Sequence, residues 1–159
     1  MRWKKAILRI WIGLAALFAL IQLVPYGRGH ENPPLRSEPA WDAPRTRELA
    51  VRACYDCHSN DVCWPWYSHV APVSWLVEHD VDEGREDLNF SEWDRPQKHA
   101  GKAAKETEKG KMPPWFYSAM HRQARLSPTE MEDLSRGLRA TLGEAGEREH
   151  ESDHKRDGD

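Results

Sequence analysis

Between residues 53 and 59 the chain reads ACYDCHS, and Cys54-Tyr55-Asp56-Cys57-His58 sets two thiols three positions apart with a histidine directly after the second. No other stretch restricts the fold so strongly. The spacing suits a covalently attached haem c, half of a tetrahedral zinc site, or a thiol redox pair. Each needs a different scaffold. A thioredoxin-like pair sits at a helix start after a strand, and this chain of 159 residues has no segment with the alternating pattern of a strand. Zinc could take Cys54, Cys57, Cys63 and either His58 or His69, which would account for the third cysteine. It accounts for neither the Met112-Pro113-Pro114 loop nor the many large rings, among them 8 tryptophans. In the haem reading both thiols add to porphyrin vinyl groups and His58 supplies the proximal iron ligand. Cys63 alone is left unexplained.

Attachment of that kind takes place outside the cytoplasm, and the N-terminus bears on this. MRWKK is basic, and from Ala6 to Val24 only Arg9 and Gln22 interrupt an apolar run. A helix needs about 20 mainly apolar residues to cross a bilayer, so residues 1–24 read as just long enough. The exit LVPYGRGHENPP lacks an A-x-A-like cleavage site, which favours a retained anchor over a cleaved signal. Basic residues stay on the cytoplasmic side, so the rest would lie in the periplasm of a bacterium. Arg2, Lys4, Lys5 and Arg9 belong to this segment, so the remainder is acidic: the whole chain has 23 Lys and Arg against 26 Asp and Glu. Nucleic acid is a poor partner for such a balance.

Beyond the anchor, residues 25–44 are proline-rich and read as an extended tether. A short helix is expected over Thr46–Ala53, leading into the cysteine motif. Residues 59–72 are irregular around Pro65 and Pro72. Val73, Leu76, Val77 and Val81 recur at helical spacing, with an end near Gly84. Ser91 is placed to cap a further helix to about Lys109, stopped by Gly110. Ser127-Pro128-Thr129-Glu130 is a capping box opening a helix that carries Leu134, Leu138 and Leu142, with Gly143 as its stop. Residues 144–159 read as a disordered polar tail in which His150 and His154 are solvated. The folded part, 45–143, is expected to be all-α.

A second axial ligand is wanted. Thioether ligation is usual in electron-transfer cytochromes c, and Met112 stands in a loop stiffened by two prolines rather than on an apolar helix face. His69, His79, His99 and His121 are other candidates. The aromatic residues Trp64, Trp66, Tyr67, Trp75, Phe90, Trp93, Trp115, Phe116 and Tyr117 could cover a porphyrin, and Arg85 or Trp75 could meet a propionate. Lys98, Lys102, Lys105, Lys109 and Lys111 could steer an acidic partner, although Glu106 and Glu108 interleave with them, so an ordinary solvated helix is the better reading.

The order of short helix, C-x-x-C-H, irregular middle, Met-Pro loop and capped final helix resembles class I cytochromes c. More closely, CYDCHS…WPWYSHVAPVSWLVEHDVDEGREDLNFSEW…MPPWFYSAMHRQARLS is similar to the small haem-binding domain family of bacterial membrane-anchored proteins, over residues 45–143. The resemblance implies a cytochrome c-like domain around one covalent haem c: Cys54 and Cys57 as thioether sites, His58 as proximal ligand and Met112 as candidate distal ligand. It further implies an electron carrier rather than an enzyme, working between periplasmic redox proteins at the inner membrane. A sensor or peroxidase-like site with an open distal position is the alternative within haem chemistry, and the zinc-stabilised interaction module the alternative outside it.

Overall fold

Prolines and glycines break the middle of the chain into short helices set between longer ones. A computed structural model describes residues 2–156, with side-chain surroundings as far as residue 143. Its helices are α1 (Arg2–Ile21), α2 (Pro44–Ala53), α3 (Tyr55–His58), α4 (Val73–Asp87), α5 (Ala103–Glu108), α6 (Trp115–Met120) and α7 (Pro128–Arg156). Among the described residues the only β-type pairing is an isolated bridge, Ser37 to Glu92. The all-α class therefore stands. By contacts the chain divides into two units, Met1–Glu31 with Trp64–Asp80, and Asn32–Cys63 with Val81–Asp159.

In the first unit α1 buries none of its residues. The apolar stretch expected to run on to Val24 stops as a helix at Ile21, because the Gln22 side chain turns to the backbone of Ala71: its amide donates to the carbonyl at 2.9 Å and its oxygen accepts from the N–H at 3.0 Å. The basic residues Arg2, Lys4, Lys5 and Arg9 occupy the other end. No helix among the described residues is long and apolar enough to cross a membrane. Gly27, at φ +75°, passes so close to the Ser74 carbonyl that a Cβ would lie 2.4 Å from its oxygen. His30 stacks on Trp64 and sits edge-on to His69, with ring centroids 4.6 and 4.4 Å apart.

The second unit holds the main core. Leu49, Ala50 and Ala53 on α2 and Leu134, Leu138 and Leu142 on α7 are buried together with Tyr55, Leu88 and Phe90. Fully burying a leucine contributes about 1.5–3 kcal/mol, so the leucine stripe is what holds α7 in place. Gly137 lets the two helices close up, since a Cβ there would meet Thr46 Oγ1 at 2.1 Å. The capping box forms as expected: the Glu130 N–H donates to Ser127 Oγ at 3.2 Å, and the Ser127 N–H to Glu130 Oε2 at 2.8 Å.

Four expectations need correcting. Gly143 does not stop α7, which continues past it to Arg156; Glu, Ala, Arg and Lys in the segment are good helix formers, and each interior glycine costs only about 1 kcal/mol. Residues 157–159 of the expected tail lie outside the described residues. Ser91 caps no helix, because its hydroxyl accepts the N–H of Asn60. Residues 91–99 are irregular instead, held by Gln97, which accepts from the Asn89 N–H and donates to the Glu92 and Arg95 carbonyls; helix resumes only at Ala100 with a 3₁₀ turn leading into α5. The proline-rich stretch is no free tether beyond Asn32. The Arg36 and Ser37 N–H groups both donate to the Ser91 carbonyl, and the Trp93 N–H donates to Ser37. Lastly, α4 does not end at Gly84 but runs to Asp87.

Candidate haem site

Cys54 ends α2, and its carbonyl accepts the N–H groups of Cys57 and His58 at 3.1 and 2.9 Å. That single turn sets the two cysteines at i and i+3, neighbours in sequence spacing on a helical turn. His58 is then fixed through both its side chain and its main chain. Its Nδ1 lies 2.9 Å from the Gly84 carbonyl and 3.0 Å from that of Leu88, at the C-terminal end of α4. Its own carbonyl accepts the Phe90 N–H at 2.8 Å. With Nδ1 engaged as a donor to those carbonyls, Nε2 carries the lone pair, the tautomer a metal-binding imidazole requires. Burial pushes the His58 pKa down against the smaller opposing pull of the Leu88 and Gly84 carbonyls, so the ring is kept neutral.

Gly84 is a residue whose role the sequence did not disclose. A Cβ there would fall 2.5 Å from the Cys57 carbonyl oxygen. The helix backbone therefore lies directly on the cysteine turn, close enough to offer its carbonyl to His58. A glycine inside a helical pattern signals close approach as readily as helix termination, and here it is close approach.

Opposite chemistry meets in one place. A cavity of about 190 Å³ is lined by Cys54, His58, Leu88, Phe90, Leu138 and Met112, with Asp87, His99, Lys102, Ala103, Glu106 and Thr107 completing the wall. The Met112 loop reaches it because Gly110, at φ +67°, reverses the chain after α5. The Gly110 N–H donates to Thr107, and the Lys111 and Met112 N–H groups both donate to the Glu106 carbonyl, at 3.0 and 3.3 Å. This is the paired closure of a glycine-terminated helix. Met112 itself is 38 % exposed.

Cys54, His58 and Met112 are thus brought together; Cys57 is partly buried and not part of the cavity wall. The Cys54 thiol is pushed up to about 12, by burial first and by neighbouring Cys57 second. Cys63 is exposed, and among the described residues no group of three or more His, Cys, Asp or Glu converges to hold a metal ion. The zinc set of Cys54, Cys57, Cys63 and a histidine is not assembled. A haem asks for something else: apolar walls, thiols at i and i+3, and an imidazole and a thioether on one cavity. The residues present fit it.

These features coincide with a likeness to known proteins. Residues 16–140 match the model of the haem-binding domain. The chain belongs to that family. No curated protein and no solved structure matches it. Membership in the haem-binding family supports a haem cofactor, and the local geometry revises which of the expected aromatic residues lie at this cavity. Of the aromatic residues expected to enclose a porphyrin, Phe90 alone lines the cavity. It packs in turn against Trp41, Tyr55 and Trp93, at centroid distances of 5.1, 5.6 and 6.4 Å. Trp66 and Trp115 are 79 % and 82 % exposed. Of the other histidine candidates, His99 lines the cavity, where its Nδ1 lies 3.0 Å from Asp87. Arg85 does not line it and donates to the Ser59 carbonyl instead; Trp75 does not line it either. Lys98 pairs with Glu86, and Lys109 and Lys111 share the single carboxylate of Glu106.

Proposed function

We propose that this haem-binding domain is a monohaem c-type cytochrome of the class I kind, an electron carrier that makes and breaks no substrate bond. The observation that carries the reading is the meeting of Cys54, His58 and Met112 on one largely apolar cavity. Cys54 and Cys57 would hold one haem c covalently, His58 would take the proximal position through Nε2, and Met112 the distal one. Bound there, haem supplies one-electron cycling of its iron.

The residues around it do the tuning. Carbonyls of Gly84 and Leu88 hold the His58 ring in one orientation and raise its basicity as a ligand. Leu88, Phe90 and Leu138 keep water from the ring, and Met112 favours the reduced state, as thioether ligands do. The exposed apolar side chains along α1 support attachment at the inner membrane, with the domain on the periplasmic side and redox proteins as its partners.

A second reading, an open distal position that admits a small ligand or peroxide, draws on the exposure of Met112. Replacing Met112 separates the two. In the electron-carrier reading, Met112→Leu abolishes the weak red-end band of sulfur-to-iron ligation in the oxidised protein, lowers the potential and opens the iron to carbon monoxide. A wild-type protein without that band, binding carbon monoxide as readily as the variant, would favour the open site.

A further inference from the structure

The loop that carries Met112 continues into α6, yet α6 buries none of its residues. Trp115 is 82 % exposed, Phe116 49 % and Met120 59 %. An apolar face does not hold this helix. What ties it down is polar: the Tyr117 hydroxyl donates to Asp56 Oδ2 across 61 positions of sequence. Asp56 is the second residue between the two cysteines, and its Oδ1 accepts the Cys63 N–H at 3.0 Å. The carboxylate therefore faces the exit of the cysteine turn with one oxygen and α6 with the other. His121 completes the clip, stacked on the Tyr117 ring at 4.2 Å and with Nδ1 3.9 Å from Asp56 Oδ2.

We propose that Tyr117 is a positioning residue for the distal ligand, fastening α6 to the attachment turn and so fixing where the loop presents the Met112 sulfur. The inference rests on the electron-carrier reading of the same site. The loop has two ends. The N-terminal one is secured to Glu106 by the Lys111 and Met112 N–H groups. The C-terminal one runs through Pro113 and Pro114 into α6, whose hydroxyl clip reaches the very turn that carries His58. Proximal and distal ligands are thereby referred to a common piece of backbone. A thioether is a weak ligand, and its hold on iron depends on such fixing more than an imidazole's would.

The test uses the full chain exported from cells that attach haem c, comparing wild type with Tyr117→Phe, Asp56→Ala and the double variant. Readouts are the sulfur-to-iron band and the affinity of ferric protein for added imidazole, which competes with Met112. Tyr117→Phe should keep covalent haem, weaken the band and bind imidazole about tenfold more tightly, the equivalent of losing one charge-assisted hydrogen bond. Asp56→Ala should do at least as much, since it also removes the acceptor of the Cys63 N–H, and the double variant should match Asp56→Ala, because Tyr117→Phe then has no bond left to remove. A wild-type band and wild-type imidazole affinity in Tyr117→Phe, or full additivity in the double variant, would overturn the proposal. A wild-type chain lacking covalent haem would instead overturn the underlying reading, and the clip with it.

Discussion

His58 and Gly84 show how much of the site rests on single residues that the motif does not name. The imidazole is aimed by carbonyls of α4, and α4 can lie that close only because position 84 has no side chain. Gly84→Ala pits two effects against each other. Alanine improves helix propensity by about 1 kcal/mol, whereas the new Cβ meets a backbone carbonyl at 2.5 Å, and overpacking of this kind costs about 1–3 kcal/mol. Backbone cannot step aside as a flexible side chain does, so the clash should win. Urea unfolding of Gly84→Ala should show a lower midpoint than wild type, and the yield of haem-loaded protein should fall. An unchanged or raised midpoint would mean that α4 and the cysteine turn are not locked together.

Among elements, the α2–α7 pair is the frame that presents the turn, and Glu130 links its two members. Besides capping α7, its carboxylate accepts from Arg52 on α2 at 2.6 Å and from Arg45 at 3.2 Å. The Ser127 N–H first, and then Arg52, hold the Glu130 carboxyl down at about 2. A carboxyl depressed on folding stabilises the fold above its unfolded value of about 4.3, and that contribution is lost as the pH falls from there toward about 2. Glu130→Gln should therefore be less stable than wild type at neutral pH and converge with it as the pH approaches 2, as thermal midpoints across that range would show. A constant gap at every pH would assign the effect to packing.

The same elements explain what could be read from the sequence and what could not. The capped start of α7 and the leucine stripe were legible because caps and helical periodicity act within a few residues. The loop at Met112 was legible because Gly110, Pro113 and Pro114 dictate backbone locally. The helix expected after Ser91 failed for the opposite reason: Asn60, thirty-one positions away, takes the hydroxyl that would have capped it. Gly143 failed as a stop because glycine ends a helix only where the chain after it prefers another conformation.

At the scale of the whole molecule, the proposed function depends on distant segments converging on one cavity. Cys54, His58 and Met112 come from two distant segments, and only the folded second unit unites them. The N-terminal helix buries none of its residues and is separate in sequence from Cys54, His58 and Met112. Cys63, which no reading of the motif but the zinc one explained, is exposed, and its N–H donates to Asp56.

The claim that everything else depends on is covalent haem at Cys54 and Cys57. The visible spectrum of the full chain, purified from cells that attach haem c and recorded before and after acid–acetone extraction, tests it most directly. The account predicts a Soret band that stays with the polypeptide after extraction and disappears from the Cys54→Ala, Cys57→Ala double variant. A Soret band that leaves with the solvent, or none at all, would contradict it.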